Sequence, residues 1–195
     1  MIKLLDLLEN KILVPRRSPE ERSKNYLIAT QKKIQQYMKD GGKGDLDLAG
    51  TPITTLPQGL IVGRNLYLRN TPITSLPQGL KVGGSLYISS TPITSLPQGL
   101  TVGGSLDLSY TKITSLPQGL TVGGFLDLRN TPITSLPQNL TVVGYIYLKN
   151  TPITSLPQNL TVVGDLYLRD TPISKKYSKE QIKQMVPGVK GEIIT

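Results

Sequence analysis

Two carboxylates in this sequence stand where they could act together: Asp107 and Asp127, twenty residues apart in a stretch that repeats every twenty residues. Equivalent positions in adjacent coils of a solenoid lie one strand spacing apart, about 5 Å. At that separation two carboxyl groups can serve glycoside cleavage with retention, or share a cation. Both chemistries need more than the pair. Like charges so close are unfavourable unless compensated, and Arg129 is the nearest candidate to do so. A sugar cleft also needs walls, and a repeat face in a chain with one Phe and no Trp offers few. The pair therefore reads as solvated or partner-facing, and no catalytic residue, metal site or cofactor is assigned.

The wider inventory points the same way. The chain has 195 residues, no Cys and no His, which excludes disulfides, zinc sites built on those ligands, thiol nucleophiles and His-based triads. The Gly-Gly pairs precede strands, not helices, so they are no phosphate loop. The expectation is a protein that is not an enzyme.

What must position Asp107 and Asp127 is the repeat itself. From Leu46 to Leu168 one unit recurs without insertion or deletion, in register at Leu46, Leu66, Leu86, Leu106, Leu126, Ile146 and Leu166: six full copies and the start of a seventh. Fixed periods of this kind mark solenoids, in which each unit buries its apolar side only against its neighbours. Within a unit, Leu-x-Leu alternates as a strand does, with pairs such as Leu66 and Leu68 inward. Thr51 and its equivalents sit at the turn, where a hydroxyl can serve backbone groups the bend leaves unpaired. Proline follows in every copy except Lys112 and ends the strand. Ile53 and Leu56 re-enter the core, Leu60 and Val62 fill the far side, and the Gly-Gly before the next strand is expected to form a positive-φ corner.

The motif Leu66-x-Leu68-x-x-Thr71-x-Ile73-x-x-Leu76-Pro77 resembles the leucine-rich repeat family. Its period is similar to the short bacterial subclass found in secreted effectors (YopM- and IpaH-like repeats) and to small phage-borne repeat proteins. Thr stands where the family has Asn, and Gly63 where it has an apolar residue, so another parallel β-solenoid is the alternative. The resemblance implies a β-solenoid of leucine-rich-repeat type with one parallel strand per coil and about seven coils. It also implies a helical pair ahead of the repeats and a concave strand face that binds protein. Nothing in the chain matches the ligase domain of some members.

The ends carry the charge. Residues 1–44 hold ten Lys/Arg against five Asp/Glu, residues 45–170 seven against six, and residues 171–195 five against two, dividing the net +9 into +5, +1 and +3. Three parts follow: a helical N-terminal cap over 1–44, the solenoid over 45–173 and a C-terminal cap over 174–195. Ile2 to Val14 has helical apolar spacing, and Ser18-Pro19-Glu20-Glu21 starts a second helix running to about Asp40. Its stripe of Leu27, Ile34 and Met38, with Tyr26 and Tyr37, is expected to cover the open edge of the first coil. Ser178 with Gln181 starts a short helix through Met185, and Val189–Thr195 reads as extended. No stretch is long and apolar enough to span a membrane, Asp6 and Glu9 break the apolar start, and a cytoplasmic protein of the producing or host cell is expected, with secretion as an effector left open.

The copies differ mainly at three outward strand positions: before, between and after the two leucines. Variation held to one face singles it out as the interaction surface. Tyr and Arg favour interface hot spots because they bury large area while keeping polar groups. The expected partner-binding residues are Tyr67, Arg69, Tyr87, Asp107, Phe125, Asp127, Arg129, Tyr145, Tyr147, Lys149, Tyr167 and Arg169. The same tyrosines could instead be an idle stack between coils. A protein partner is the first expectation, testable by Tyr147→Ala with Arg169→Ala, which should abolish binding without lowering the melting temperature. Alternatives are nucleic-acid binding through the basic ends (Arg16, Arg17, Arg22, Lys24, Lys32, Lys33, Lys175, Lys176) and a structural role in a larger assembly.

Overall fold

A computed structural model describes residues 18–195 as a parallel β-solenoid with helices at both ends. The apolar segment 2–14, Arg16 and Arg17 lie outside the described residues. Helix α1 spans Pro19–Lys39, and fourteen two-residue strands follow, with α2 (Pro172–Lys176) and α3 (Lys179–Met185) ahead of the last one.

Strands β1 (Leu46–Asp47), β3 (Leu66–Tyr67), β5 (Leu86–Tyr87), β7 (Leu106–Asp107), β9 (Leu126–Asp127), β11 (Ile146–Tyr147) and β13 (Leu166–Tyr167) form one sheet in chain order, closed by β14 (Ile193–Ile194). Register is strict: Leu46 pairs with Leu66, Leu106 with Leu126, Ile146 with Leu166. Coil-to-coil hydrogen bonds run beyond the strands, as in Leu46 N–H to Asn65 O (2.8 Å), Leu48 N–H to Tyr67 O (2.9 Å) and Gly50 N–H to Arg69 O (2.8 Å). The expectation of one strand per coil gains a second: β2 (Ile61–Val62), β4 (Lys81–Val82), β6 (Thr101–Val102), β8 (Thr121–Val122), β10 (Thr141–Val142) and β12 (Thr161–Val162) make a sheet across the core. Leucines and isoleucines at 66, 68, 73, 76 and 80, with Val82, and their equivalents in every coil form one continuous cluster between the sheets. Both sides are hydrogen-bonded from coil to coil, less evenly on the second sheet, where Lys81 N–H to Leu60 O and Thr101 N–H to Leu80 O measure 3.4 and 3.5 Å.

The threonine at the turn does what its position suggested. Thr51, Thr71, Thr91, Thr111, Thr131, Thr151 and Thr171 are buried, and each hydroxyl donates to the carbonyl three residues back at 2.6 to 2.8 Å. The Gly-Gly corner does not. Positive φ occurs instead at Gly59, Gly79, Gly99, Gly119 and Asn139, and just before the threonine at Gly50, Asn70, Ser90, Tyr110, Asn130, Asn150 and Asp170. Glycine before the strand lets the middle coils approach closely: a β-carbon at Gly83, Gly103 or Gly123 would meet the carbonyl oxygen of the glycine one coil earlier, whereas the later coils take Val143 and Val163 at the same position. At Lys112 the missing proline restores a donor, and its N–H bonds Ile93 O at 3.1 Å.

Helix α1 starts with the capping box of Ser18 and Glu21 and ends where Asp40, Gly41 and Gly42 turn the chain. Its covering stripe is narrower than expected. Ile34 and Thr30 are buried and Leu27 and Tyr37 half-buried, but Tyr26 and Met38 are exposed. The first coil presents only its rim, and a helix resting across a rim hides one row of side chains. Tyr37 donates to the carbonyl of Gly44 (2.9 Å) and accepts from Gly63 N–H (3.3 Å), while Lys33 Nζ donates to Asp47 O. At the other end, α2 forms where the repeat loses its second proline, capped by Thr171. Helix α3 carries the expected capping box of Ser178 and Gln181, and the tail pairs with the last coil on both sheets. Among the described residues no helix is long and apolar enough to cross a membrane.

Candidate functional site

Each strand of the first sheet offers three outward side chains, and the three columns they form have different jobs. The first column, before the leading leucine, is largely structural. Asp45 Oδ1 accepts from Asn65 N–H (3.0 Å), Asn65 Oδ1 from Ser85 N–H (2.8 Å), Ser85 Oγ from Ser105 N–H (2.9 Å) and Ser105 Oγ from Phe125 N–H (3.1 Å). Asp165 Oδ1 continues the series by accepting from Glu192 N–H at 2.8 Å. Each short polar side chain thus satisfies an amide in the next coil that would otherwise rely on water. Phe125 and Tyr145 break the series. Phe125 has no acceptor to offer and the Tyr145 hydroxyl bonds no amide of the next coil, and among the described residues no side chain takes the amides of Tyr145 and Asp165. The signal was in the sequence, since this column reads Asp, Asn, Ser, Ser before turning aromatic, but outward polarity alone did not distinguish a backbone acceptor from a partner contact.

The rings that replace the acceptors gather with two tyrosines of the middle column. Phe125 meets Tyr147 edge-on with centroids 6.2 Å apart, Tyr145 lies 6.4 Å from Tyr147 and 6.3 Å from Tyr167, and Tyr147 stacks on Tyr167 at 4.7 Å. The four rings form one cluster over β9, β11 and β13. Tyr145 keeps 44% of its surface exposed. The Tyr167 phenol is held above its ordinary value near 10, first by the loss of solvent around it and then by the charge of Asp165. Tyr67 and Tyr87 make a separate stack at 5.0 Å on β3 and β5.

Asp107 and Asp127 sit between these aromatic groups, and their expected role needs correcting. They pair in register on β7 and β9, yet both are buried, at 7% and 3% exposure, and neither presents its carboxylate to a partner. Each is held by its own arginine. Arg69 reaches from two coils away to bond Asp107 Oδ2 at 2.9 Å, with its guanidinium 4.4 Å from the centre of the Tyr87 ring. Ser109 occupies Asp107 Oδ1 through its N–H (3.1 Å) and hydroxyl (2.7 Å). Arg129 grips both oxygens of Asp127 through Nε at 2.9 and 3.0 Å, and its guanidinium lies 5.6 Å from the Tyr147 ring. These hydrogen bonds raise the Arg129 pKa further above its already high value. Compensation by Arg129 was expected for the pair; it serves Asp127, and the second cation is Arg69. An arginine bonded to a carboxylate and lying beside a ring is fixed in place, and both side chains stay about half exposed. Carboxylates so occupied are poorly set up for proton transfer or nucleophilic attack, which need free lone pairs. Among the described residues no group of three or more His, Cys, Asp or Glu side chains is placed to hold a metal ion.

The third column adds Lys149 and Arg169, both exposed, with Lys149 3.8 Å from Asp170. The basic residues of the caps are dispersed. Arg22, Lys24 and Lys32 are exposed on α1, Lys33 is engaged with the first coil, and Lys175 and Lys176 lie in the last turn of α2. Set beside known proteins, the chain matches no protein-family model and no curated protein.

Proposed function

We propose that this chain is a non-enzymatic interaction protein of leucine-rich-repeat type that binds a protein partner through the outward face of its first sheet. Phe125, Tyr145, Tyr147 and Tyr167 anchor the contact, and Arg69, Arg129, Lys149 and Arg169 give it polar specificity. One observation carries the reading. In two successive coils the short side chain that serves a neighbouring amide is replaced by a ring, half-buried Phe125 and exposed Tyr145, and these rings start the aromatic cluster that runs on to Tyr167. Giving up a backbone acceptor leaves two amides without a side-chain partner, and a partly exposed aromatic cluster is the composition of an interface hot spot.

The variant that tests this is Phe125→Ser with Tyr145→Ser, since Ser85 and Ser105 show that serine fits the column. It is a cleaner probe than Tyr147→Ala with Arg169→Ala, because Tyr147 contacts three other rings and its truncation would loosen the cluster itself. A partner isolated on the wild-type protein should bind the serine variant at least ~100-fold more weakly in calorimetry, hot-spot side chains being worth about 2 kcal/mol or more each. Unchanged affinity would remove the face from consideration.

A further inference from the structure

The first and third columns of the strand face complement each other in the last three coils, though not in the first two, where Asp45 stands with Ala49 and Asn65 with Arg69. In β9 the pair is Phe125 and Arg129, in β11 Tyr145 and Lys149, and in the β13 coil Asp165 and Arg169. In the coils of β5 and β7 it is serine with serine, Ser85 with Ser89 and Ser105 with Ser109. Ring faces cation, acid faces cation, small faces small. Within one strand these partners are four residues apart, about 13 Å, too far to meet. Their complementarity can be used only between molecules.

We infer that the partner for this face is a second copy of the same chain, docked face to face about a two-fold axis parallel to the solenoid. That operation sets each coil against its own counterpart and exchanges the first and third columns, which makes the contact isologous. Tyr145 then lies against Lys149 of the second copy and Asp165 against its Arg169, while Phe125 meets the stem of Arg129, whose guanidinium stays on its own Asp127. Tyr67, Tyr87, Tyr147 and Tyr167 of the middle column meet their own equivalents. Asp107 and Asp127 each oppose themselves, but both are buried beneath Arg69 and Arg129, whose half-exposed guanidinium groups flank the axis and hold the affinity down. A two-fold running across the solenoid instead would set Arg69 against Arg169 and leave the cations without acids.

The face offers about twenty outward side chains, the low end of what one side of a standard interface contributes. The serines of β5 and β7 leave the bulk of the contact on β9, β11 and β13, so association should be weak, with a Kd on the order of 10 µM. The inference rests on the proposed binding face and specifies its occupant.

Sedimentation equilibrium of the full chain tests it, alongside Lys149→Glu with Arg169→Glu and single cysteines introduced into the cysteine-free sequence. The wild type should sediment as a dimer at ~0.1 mM, at least about tenfold above that Kd. The Lys149→Glu/Arg169→Glu variant, whose new acids would face Tyr145 and Asp165, should stay monomeric with an unchanged unfolding curve. A linker of about 10 Å, the separation of packed sheets, should join Tyr167→Cys to itself and leave Lys81→Cys, on the opposite sheet, unjoined. A wild type that is monomeric at ~1 mM, or a dimer indifferent to the glutamates, overturns the self-pairing. If the monomer still loses a different protein partner on Phe125→Ser/Tyr145→Ser, the binding face survives and only its occupant was wrong. A dimer that the serine variant leaves intact removes both.

Discussion

Replacing Phe125 and Tyr145 with serine should separate stability from binding, and the structure allows the stability side to be worked out. The variant removes three ring contacts: Phe125 to Tyr147, and Tyr145 to Tyr147 and to Tyr167. Each is worth about 0.5–1.5 kcal/mol. It adds two hydrogen bonds of the kind Ser85 and Ser105 make, to the amides of residues 145 and 165, each worth about 0.5–1.5 kcal/mol. Midpoints give a net loss near 1 kcal/mol, to which the covered apolar area of the two rings adds about 2 kcal/mol, for a fall in melting temperature of about 6–12 °C in a chain of this size. Two aromatic truncations in a packed core would instead cost about 6–10 kcal/mol together. Denaturant unfolding reads the total, and amide hydrogen exchange reads the mechanism, because the amides at 145 and 165 should exchange more slowly in the variant than in the wild type. A loss above ~5 kcal/mol, or faster exchange at those two amides, would mean that the rings hold the coil together and were never surplus to it.

Other outcomes follow from the same geometry. Tyr110 adopts φ 58° where five of its six counterparts in other coils are Gly, Asn or Asp; Tyr110→Asn should raise stability by about 0.5–1 kcal/mol in denaturant unfolding, since asparagine tolerates that region better. Gly144→Ala should cost about 1–3 kcal/mol, because its β-carbon meets the Gly124 carbonyl group, whereas the position before it already carries Val143; a neutral result would mean that the coil spacing is soft. The Tyr167 phenol should ionise above the ordinary tyrosine value in ultraviolet difference titration, and Asp165→Asn should lower it. A pKa raised in the folded state means that the fold favours the neutral phenol, so this group's contribution to stability is present below pH ~10 and is lost as pH rises through the higher folded value.

The sequence makes the solenoid readable because a strict period leaves few ways to place an apolar residue. Leu66, Leu68, Ile73, Leu80 and Val82 recur at fixed offsets, and only a stacked coil buries them all. Thr71 was legible for the same reason, being a fixed polar residue among apolar ones, with its backbone as the nearest partner. The capping boxes at Ser18 and Ser178 are local chemistry and needed no tertiary knowledge. What could not be read is what depends on the neighbouring coil. The glycines at 83, 103 and 123 answer to a carbonyl twenty residues earlier, and nothing local separates that demand from a positive-φ turn. Asp107 looked available because its own coil offers it only Ser109; the arginine that covers it, Arg69, comes from two coils away. Column one looked like free variation because an Asp, Asn or Ser that serves the next amide has the same outward polarity as one that serves nothing.

The strict twenty-residue register has a bearing on how such a chain can change over time. A coil can be inserted or removed with the pairing of its neighbours kept, so the face lengthens or shortens like a tape, in steps of about 4.8 Å. Its lateral spacing is preserved whatever the number of units. Selection on this molecule is then free to act on which side chain each unit displays, one row at a time, while the gauge on which they are displayed stays constant.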